Sequence, residues 1–185
     1  MRQRLGAILA AVLLLGPVAH AQDQPALARP VPPERFGIGA VGAIGLFGNV
    51  AGLRAGGPVG EKFALDVTIG HIDGGGQSGS GPYGTSVGAQ VRWLWHGRNP
   101  NGRSGYWLAG PLIFPYTDRT EIRWPDRVTT YLVEKKSVAT LQVGYGWDVQ
   151  MKSGARAGVE LSTGGTEGGP VSFVNAFVVW GPRRR

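Results

Sequence analysis

The chain has 185 residues, a formal net charge of +7 and no cysteine. That length suits one domain, and the lack of cysteine excludes a disulfide framework. The positive charge is spread along the chain apart from Arg183–Arg185. A nucleic-acid-binding protein would carry a basic stripe with interleaved aromatic residues, so we expect no nucleic-acid partner.

The first 21 residues predict a secretory signal peptide. Arg2 and Arg4 precede the uncharged apolar run Leu5–Leu15, and small residues surround a cleavable bond after Ala21. The run is shorter than the about 17–25 residues that a membrane helix needs. Residues 22–33, "QDQPALARPVPP", then predict a Pro-rich leader that is disordered or extended. We therefore expect an exported protein.

Nearly everything from Phe36 to Trp180 alternates between apolar and small or polar residues, which is the period of a β-strand. Seven strands are predicted, at 36–47, 59–71, 83–96, 105–116, 137–150, 154–163 and 171–180. A closed bacterial barrel needs an even number, and Asn49–Ala55 is the candidate for an eighth. We expect the barrel to span residues 34–181, followed by a basic tail at 182–185.

The predicted connections alternate in length, which is typical of an up-and-down meander with two unlike ends. Long connections are predicted at 73–82, 117–136 and 164–170, and shorter ones at 97–104 and 151–153. Two architectures fit this pattern. A soluble barrel would turn its apolar face inward, whereas an outer-membrane barrel would turn it toward lipid and fill the lumen with small and polar residues.

The composition of the less apolar face favours the membrane arrangement. In Ser137–Gln150, for example, Leu141, Val143 and Trp147 alternate with small and polar residues. Glycine weakens a strand face that meets water, but small residues inside a narrow barrel make room for large ones. Three positive and three negative side chains also fall on the less apolar faces of the predicted strands, and we expect them to pair in the lumen. They are Lys62, Arg92, Arg156, Asp66, Asp148 and Glu160.

The aromatic residues give a second argument for the membrane. Following the strands up and down places seven of them at one end, the end with the short turns. They are Trp93, Trp95, Tyr106, Trp107, Tyr145, Trp147 and Trp180. A soluble core has no reason to collect aromatic residues at one level, whereas an outer-membrane barrel carries an aromatic girdle at its interface.

The alternating strands, the hairpin "GYGWDVQ…GARAGVEL" and the apolar last strand ending near Trp180 resemble small outer-membrane β-barrels of Gram-negative bacteria. The resemblance implies an antiparallel up-and-down transmembrane barrel of about eight strands, in contact with outer-membrane lipid, lipopolysaccharide and the barrel-assembly machinery. An extracellular partner would bind through loops 73–82, 117–136 and 164–170. Such proteins usually end on an aromatic residue, whereas here Gly181–Arg185 follow Trp180.

No motif in the chain predicts catalysis. His71 and His96 have no Cys, Asp or Glu at metal-ligand spacing, and the spacing of Ser86, His71 and Asp73 does not indicate a triad. We therefore expect no catalytic residue, cofactor or metal, and a non-porin barrel with a structural, surface-interaction or adhesion-like role. The alternatives are an outer-membrane enzyme that acts on lipid A or phospholipid, and a soluble periplasmic barrel of the lipocalin type.

Overall fold

The computed structural model describes residues 35–74, 80–94, 102–125, 129–167 and 169–181. The predicted signal peptide, the Pro-rich leader and the basic tail lie outside these residues, as do Trp95 and His96. No helix in the described part of the chain is long and apolar enough to cross a membrane.

Eight antiparallel strands form one closed barrel in which each strand pairs with the next and β8 pairs with β1. This arrangement confirms the predicted all-β, up-and-down fold and its strand number. The strands are β1 Gly37–Gly45, β2 Asn49–Pro58, β3 Phe63–Asp73, β4 Gly81–Leu94, β5 Arg103–Arg123, β6 Thr129–Gln150, β7 Ala155–Thr166 and β8 Gly169–Trp180.

The candidate at Asn49–Ala55 is the missing strand, and it runs on as β2 to Pro58. The chain reverses between β1 and β2 through a turn in which Gly45 and Gly48 exchange backbone hydrogen bonds. This extra strand brings the two ends of the barrel sequence together, because Ile38 of β1 lies opposite Trp180 of β8. We call this the terminal end of the barrel and the opposite one the hairpin end.

Two of the predicted long loops are largely strand, which corrects the sequence prediction. Residues 117–123 belong to β5 and residues 129–136 to β6, and the two strands stay paired from Arg103–Val149 to Arg123–Thr129. The neighbouring strands stop earlier, since β4 pairs with β5 only as far as Thr117 and β7 pairs with β6 only as far as Gln142. A two-stranded ribbon, made of residues 118–125 and 129–134 in the described part of the chain, therefore projects beyond the barrel rim. Residues 164–170 likewise belong mainly to β7 and β8.

Apolar side chains close the interior near both ends. At the hairpin end, Phe114, Ile72 and Phe173 belong to a buried cluster that Phe47 and Tyr116 cover. At the terminal end, Leu94, Tyr106 and Leu108 form a smaller cluster. The lumen between them is polar and charged. Glycines on the inner face let the strands approach closely, and Gly154 has a positive φ of 86° in the β6–β7 turn, where other residues would be strained.

We predict that Gly39→Ala destabilises the barrel by about 1–3 kcal/mol, because a side chain there overpacks the contact between β1 and β8. A Cβ at Gly39 would lie 1.8 Å from the carbonyl oxygen of Val178, which is backbone and cannot move aside. Gly42→Ala is the control on the same strand, since its Cβ would meet only the Val50 carbonyl oxygen at 4.0 Å. Urea unfolding in lipid vesicles measures both, and equal stabilities would contradict the prediction.

Candidate functional site

The centre of the lumen holds six charged side chains, each at most 4% exposed. They are Arg54, Asp66, Arg92, Asp148, Arg156 and Glu160. Five of them are residues that the sequence placed in the lumen. Three are positive and three negative, so the group carries no formal net charge, and we call it the lumen network.

Strand alternation brings these side chains together from five different strands. Arg54 comes from β2, Asp66 from β3, Arg92 from β4, Asp148 from β6, and β7 contributes the last two. Side chains alternate along each strand, so the neighbours of these residues face outward. Val67 and Val91, for example, are 45% and 46% exposed, while Val149 and Val159 are partly covered.

Asp66 is the hub of the lumen network because it contacts all three arginines. Its Oδ2 accepts hydrogen bonds from Arg54 Nη2 at 2.7 Å and from Arg92 Nε. Its Oδ1 accepts a third from Arg156 Nη2 at 3.3 Å. A buried carboxylate needs such partners, since an unpaired charge in a low-dielectric interior is very costly.

Glu160 forms the second centre of the network. Both of its oxygens bind Arg54 in a two-pronged ion pair, with Nη1–Oε2 at 2.8 Å and Nη2–Oε1 at 2.7 Å. The Tyr106 hydroxyl donates a further hydrogen bond to Oε1 at 2.8 Å. This parallel geometry matches the fork of the guanidinium to the carboxylate and is the strongest type of ion pair available to arginine.

Asp148 completes the pairing on the β6 side of the lumen. Its Oδ2 lies 3.2 Å from Arg156 Nη1 and 3.5 Å from Arg92 Nη1, and its Oδ1 accepts a hydrogen bond from the Ser104 hydroxyl at 2.8 Å. Phe177 adds an aromatic contact from β8, because the guanidinium carbons of Arg54 and Arg156 lie 4.2 and 5.1 Å from its ring centroid. Such cation–π contacts are favourable where the cation is desolvated.

Lys62 does not belong to the lumen network, which corrects the sequence prediction. It has the same parity as Asp66, but β3 begins at Phe63, so Lys62 lies exposed in the β2–β3 turn. Arg54 takes the place of the third cation. The alternation of Gly52 and Arg54 with Ala51, Leu53 and Ala55 could have identified it, because it puts Arg54 on the less apolar face of β2.

The predicted aromatic group needs one correction as well. Tyr106 points into the lumen and is fully buried, whereas Trp93, Trp107, Trp147 and Trp180 are 44–58% exposed on the outer wall. Tyr145 lies between Trp107 and Trp147 with its ring edge-on to both, at centroid distances of 5.2 and 4.5 Å. Two further exposed residues at this end were not predicted, and they are Phe36 and Phe63.

The outer wall between the two ends is apolar. Each of the strands β2 to β8 carries at least one large aliphatic side chain that faces outward and is more than two-fifths exposed. Examples are Leu53, Leu65, Ile69, Val87, Ile113, Leu141, Leu161 and Val174. A soluble protein rarely exposes a continuous apolar surface of this kind, so the wall is suited to an apolar surrounding.

The interior leaves little empty space next to the lumen network. A cavity of about 50 Å³ lies against it, lined among others by Ser86, Gln90, Gln142 and Asn175. One or two water molecules would fit there, since each takes about 30 Å³ in the liquid. The side-chain oxygens of Gln90 and Gln142 make no hydrogen bond within the described residues, and water in this cavity would satisfy them.

The structure separates the residues that could have formed a catalytic triad. Ser86 is buried on the inner face, where its hydroxyl donates a hydrogen bond to the Gly70 carbonyl. His71 is exposed on the outer face, where its ring packs edge-on to Tyr83 at 5.0 Å. The barrel wall lies between them. The described residues also contain no group of three or more His, Cys, Asp or Glu that could hold a metal.

The sequence matches no protein-family profile and no curated protein sequence. Among solved structures, the N-terminal β-barrel domain of Pseudomonas aeruginosa OprF is similar to this chain, with a TM-score of 0.55 and 14% identity. The match covers 78% of this chain and 96% of the OprF domain. The predicted resemblance to small outer-membrane barrels is thereby confirmed at the level of the fold.

A second similar structure is that of Ail, the attachment invasion locus protein of Yersinia pestis, in complex with the heparin analogue sucrose octasulfate. Its TM-score is 0.44 and its identity 11%, with 78% of this chain and 94% of Ail covered.

We predict that Arg54→Met lowers the free energy of unfolding by about 3–5 kcal/mol. The substitution leaves the Glu160 carboxylate buried without a cation and removes one of the three arginine partners of Asp66. Lys62→Met removes the same charge from the exposed turn and is the matched control, for which we expect a change within about 0.5 kcal/mol. Urea unfolding in lipid vesicles compares the two variants. If both unfold like the parent protein, the lumen network does not hold the barrel together.

Proposed function

We propose that the protein is a small outer-membrane barrel that does not conduct solutes and that acts at the cell surface through its projecting ribbon. The observation that carries this proposal is the inverted arrangement of the wall, in which paired charges fill the lumen and aliphatic side chains cover the outside. Exposing such an aliphatic wall to water would be unfavourable, whereas placing it in lipid would not.

The height of the apolar band supports membrane insertion. On β4 it runs from Tyr83 at the hairpin end to Trp93 at the terminal end, and both rings are exposed. At about 3.3 Å per residue and a tilt of about 40°, this stretch rises roughly 25 Å, which matches the apolar band of an outer-membrane barrel. By the usual orientation, the short turns of the terminal end face the periplasm and the ribbon faces outward.

The filled lumen supports a role other than that of a porin. The apolar cluster around Phe114 closes the hairpin end, and the lumen network fills the middle. Eight strands leave an interior just wide enough for side chains, whereas aqueous porins use about 16–18 strands. A hydrated solute therefore has no path.

The ribbon supports a surface-interaction or adhesion-like role. It presents Trp124, Tyr131, Leu132 and Val133 with more than two-fifths of each side chain exposed, beyond the apolar band of the wall. Charged side chains accompany them, and Arg119 stacks over the Tyr131 ring at 3.7 Å. Exposed aromatic and arginine side chains are the residue types that are enriched where proteins bind one another.

The two alternative functions receive less support. A lipocalin-like barrel needs a large cavity for its ligand, but the cavity beside the lumen network has a volume of about 50 Å³ and holds the charged side chains of Arg54 and Glu160 in its walls. A lipid-modifying enzyme needs its nucleophile and base on one surface, but Ser86 and His71 lie on opposite sides of the wall. We therefore propose a non-catalytic role.

Membrane insertion predicts a clear result for Val67→Arg, at the middle of the apolar band. The charge would face lipid and should lower the stability in lipid vesicles by about 2–4 kcal/mol. Thr130→Arg on the exposed ribbon is the control and should unfold like the parent protein. In a soluble barrel both substitutions would be exposed to water, so equal unfolding midpoints in urea would count against the membrane assignment.

The surface role predicts that shortening the ribbon reduces attachment of cells to surfaces while the barrel stays folded. We would replace residues 119–133 with Asn-Gly, which forms the tight turn of a two-residue hairpin between Asp118 and Glu134. Cells that display this variant should attach to polystyrene several-fold less than cells that display the parent protein. Lys62→Ser, at the other end, should leave attachment unchanged. Equal attachment of all three strains would refute the surface role.

A further inference from the structure

The mouth of the barrel at the hairpin end contains a cavity of about 400 Å³. Its walls come from the inner faces of β5 and β6, where the ribbon leaves the barrel, and from the β1–β2 and β7–β8 turns. Its lining includes Phe47, Phe114, Tyr116, Asp118, Lys136 and Glu167. We call this the mouth pocket. Its volume lies within the range of pockets that bind small molecules.

Aromatic rings form the floor of the mouth pocket. The rings of Phe47 and Tyr116 lie 6.4 Å apart at an angle of 40°, and Phe114 is 1% exposed beneath them. Phe114 belongs to the apolar cluster that closes the lumen, so the pocket opens outward only. Such a floor suits the apolar or aromatic part of a ligand, and its ring faces also attract cations.

The charges around the mouth pocket are not neutralised by one another. Asp118 and Glu167 make no side-chain hydrogen bond or ion pair within the described part of the chain, and the Lys136 ammonium lies over the Tyr116 ring at 5.7 Å. The lumen network behaves differently, because each of its carboxylates has at least one arginine partner. Two free carboxylates against one ammonium leave the pocket with an excess of negative charge.

We propose that the mouth pocket binds a small amphipathic amine. The apolar body of the ligand packs on Phe47, Phe114 and Tyr116, and its ammonium group binds between Asp118 and Glu167. An anionic ligand would meet two carboxylates, and a neutral one would leave them unpaired. Binding of such a ligand depends on the geometry of the barrel mouth and not on the surface role of the ribbon.

The first test compares three probes that share one ring system and differ in charge. These are 1-naphthylmethylamine, 1-naphthalenemethanol and 1-naphthoic acid, titrated into the full barrel in lipid nanodiscs, with empty nanodiscs correcting for partition into lipid. Backbone amide NMR shifts of Ser137, Ala139 and Thr166, which lie at or beside the pocket, report binding. We expect the amine to bind at least tenfold more tightly than the alcohol and the acid to bind most weakly. Equal affinities for the three probes would overturn the proposal.

The second test uses charge-removing variants at Asp118, which is half-buried, and at Glu167, which is exposed, and these changes leave the barrel fold intact. The double variant Asp118→Asn, Glu167→Gln should weaken binding of the amine at least tenfold and leave the alcohol unaffected. Glu121→Gln removes a carboxylate from the outer face of β5 and is the matched control, with unchanged affinity expected. Lys136→Met should tighten amine binding. If the double variant binds the amine like the parent protein, the carboxylates do not recognise it and the assignment is wrong.

Discussion

The ion pairs around Asp66 are the interaction on which the inverted barrel depends. Three arginines and three acidic residues sit in an interior that water barely enters, and Asp66 alone contacts every arginine. Buried ion pairs add little net stability compared with a well-packed apolar core, but breaking one of them is costly. Their main effect here is on register. A slip of one residue in any of the five strands involved would turn a charge onto the outer wall and an aliphatic side chain into the network. The lumen network therefore selects one alignment of the strands.

The inner glycines are a consequence of placing arginine and aromatic side chains in so narrow a lumen. A Cβ at Gly56 would lie 2.1 Å from an Asp66 carboxylate oxygen, and one at Gly146 would lie 2.6 Å from the Tyr106 ring. One at Gly158 would meet the Phe177 ring at 2.7 Å. Each of these large side chains takes part in the network or contacts it, so the glycines supply the space that it needs. Small residues beside large ones are the general solution for filling a narrow barrel.

Much of this barrel can be predicted from the sequence, because the inner and outer faces of every barrel strand have different surroundings. That constraint makes the alternation around Asp66, Arg92 and Glu160 strong, and their inward placement follows from it. The errors arise where the constraint ends. Lys62 has the right parity but lies one residue before β3, in a turn where parity has no meaning. The ribbon was predicted as a loop since both of its faces are exposed, so no alternation marks it as strand. The pairing of its residues depends on tertiary structure, in which β6 simply continues along β5.

The interior of the barrel and its hairpin end differ in how their charged side chains are paired, and this difference decides where a ligand or partner could bind. Inside the barrel each charge of the lumen network has a partner of opposite sign, and the apolar cluster at Phe114 covers the lumen at the hairpin end. Beyond the rim, β6 runs without a neighbour on one side, and Glu134, Lys135 and Lys136 follow one another along this free edge. Charged side chains on an exposed edge discourage pairing with other strands. The edge is protected at its base, while Tyr131, Leu132 and Val133 nearer the tip remain open to contact. The recognition that we propose for this protein therefore lies at the hairpin end, on the ribbon or in the pocket at its base.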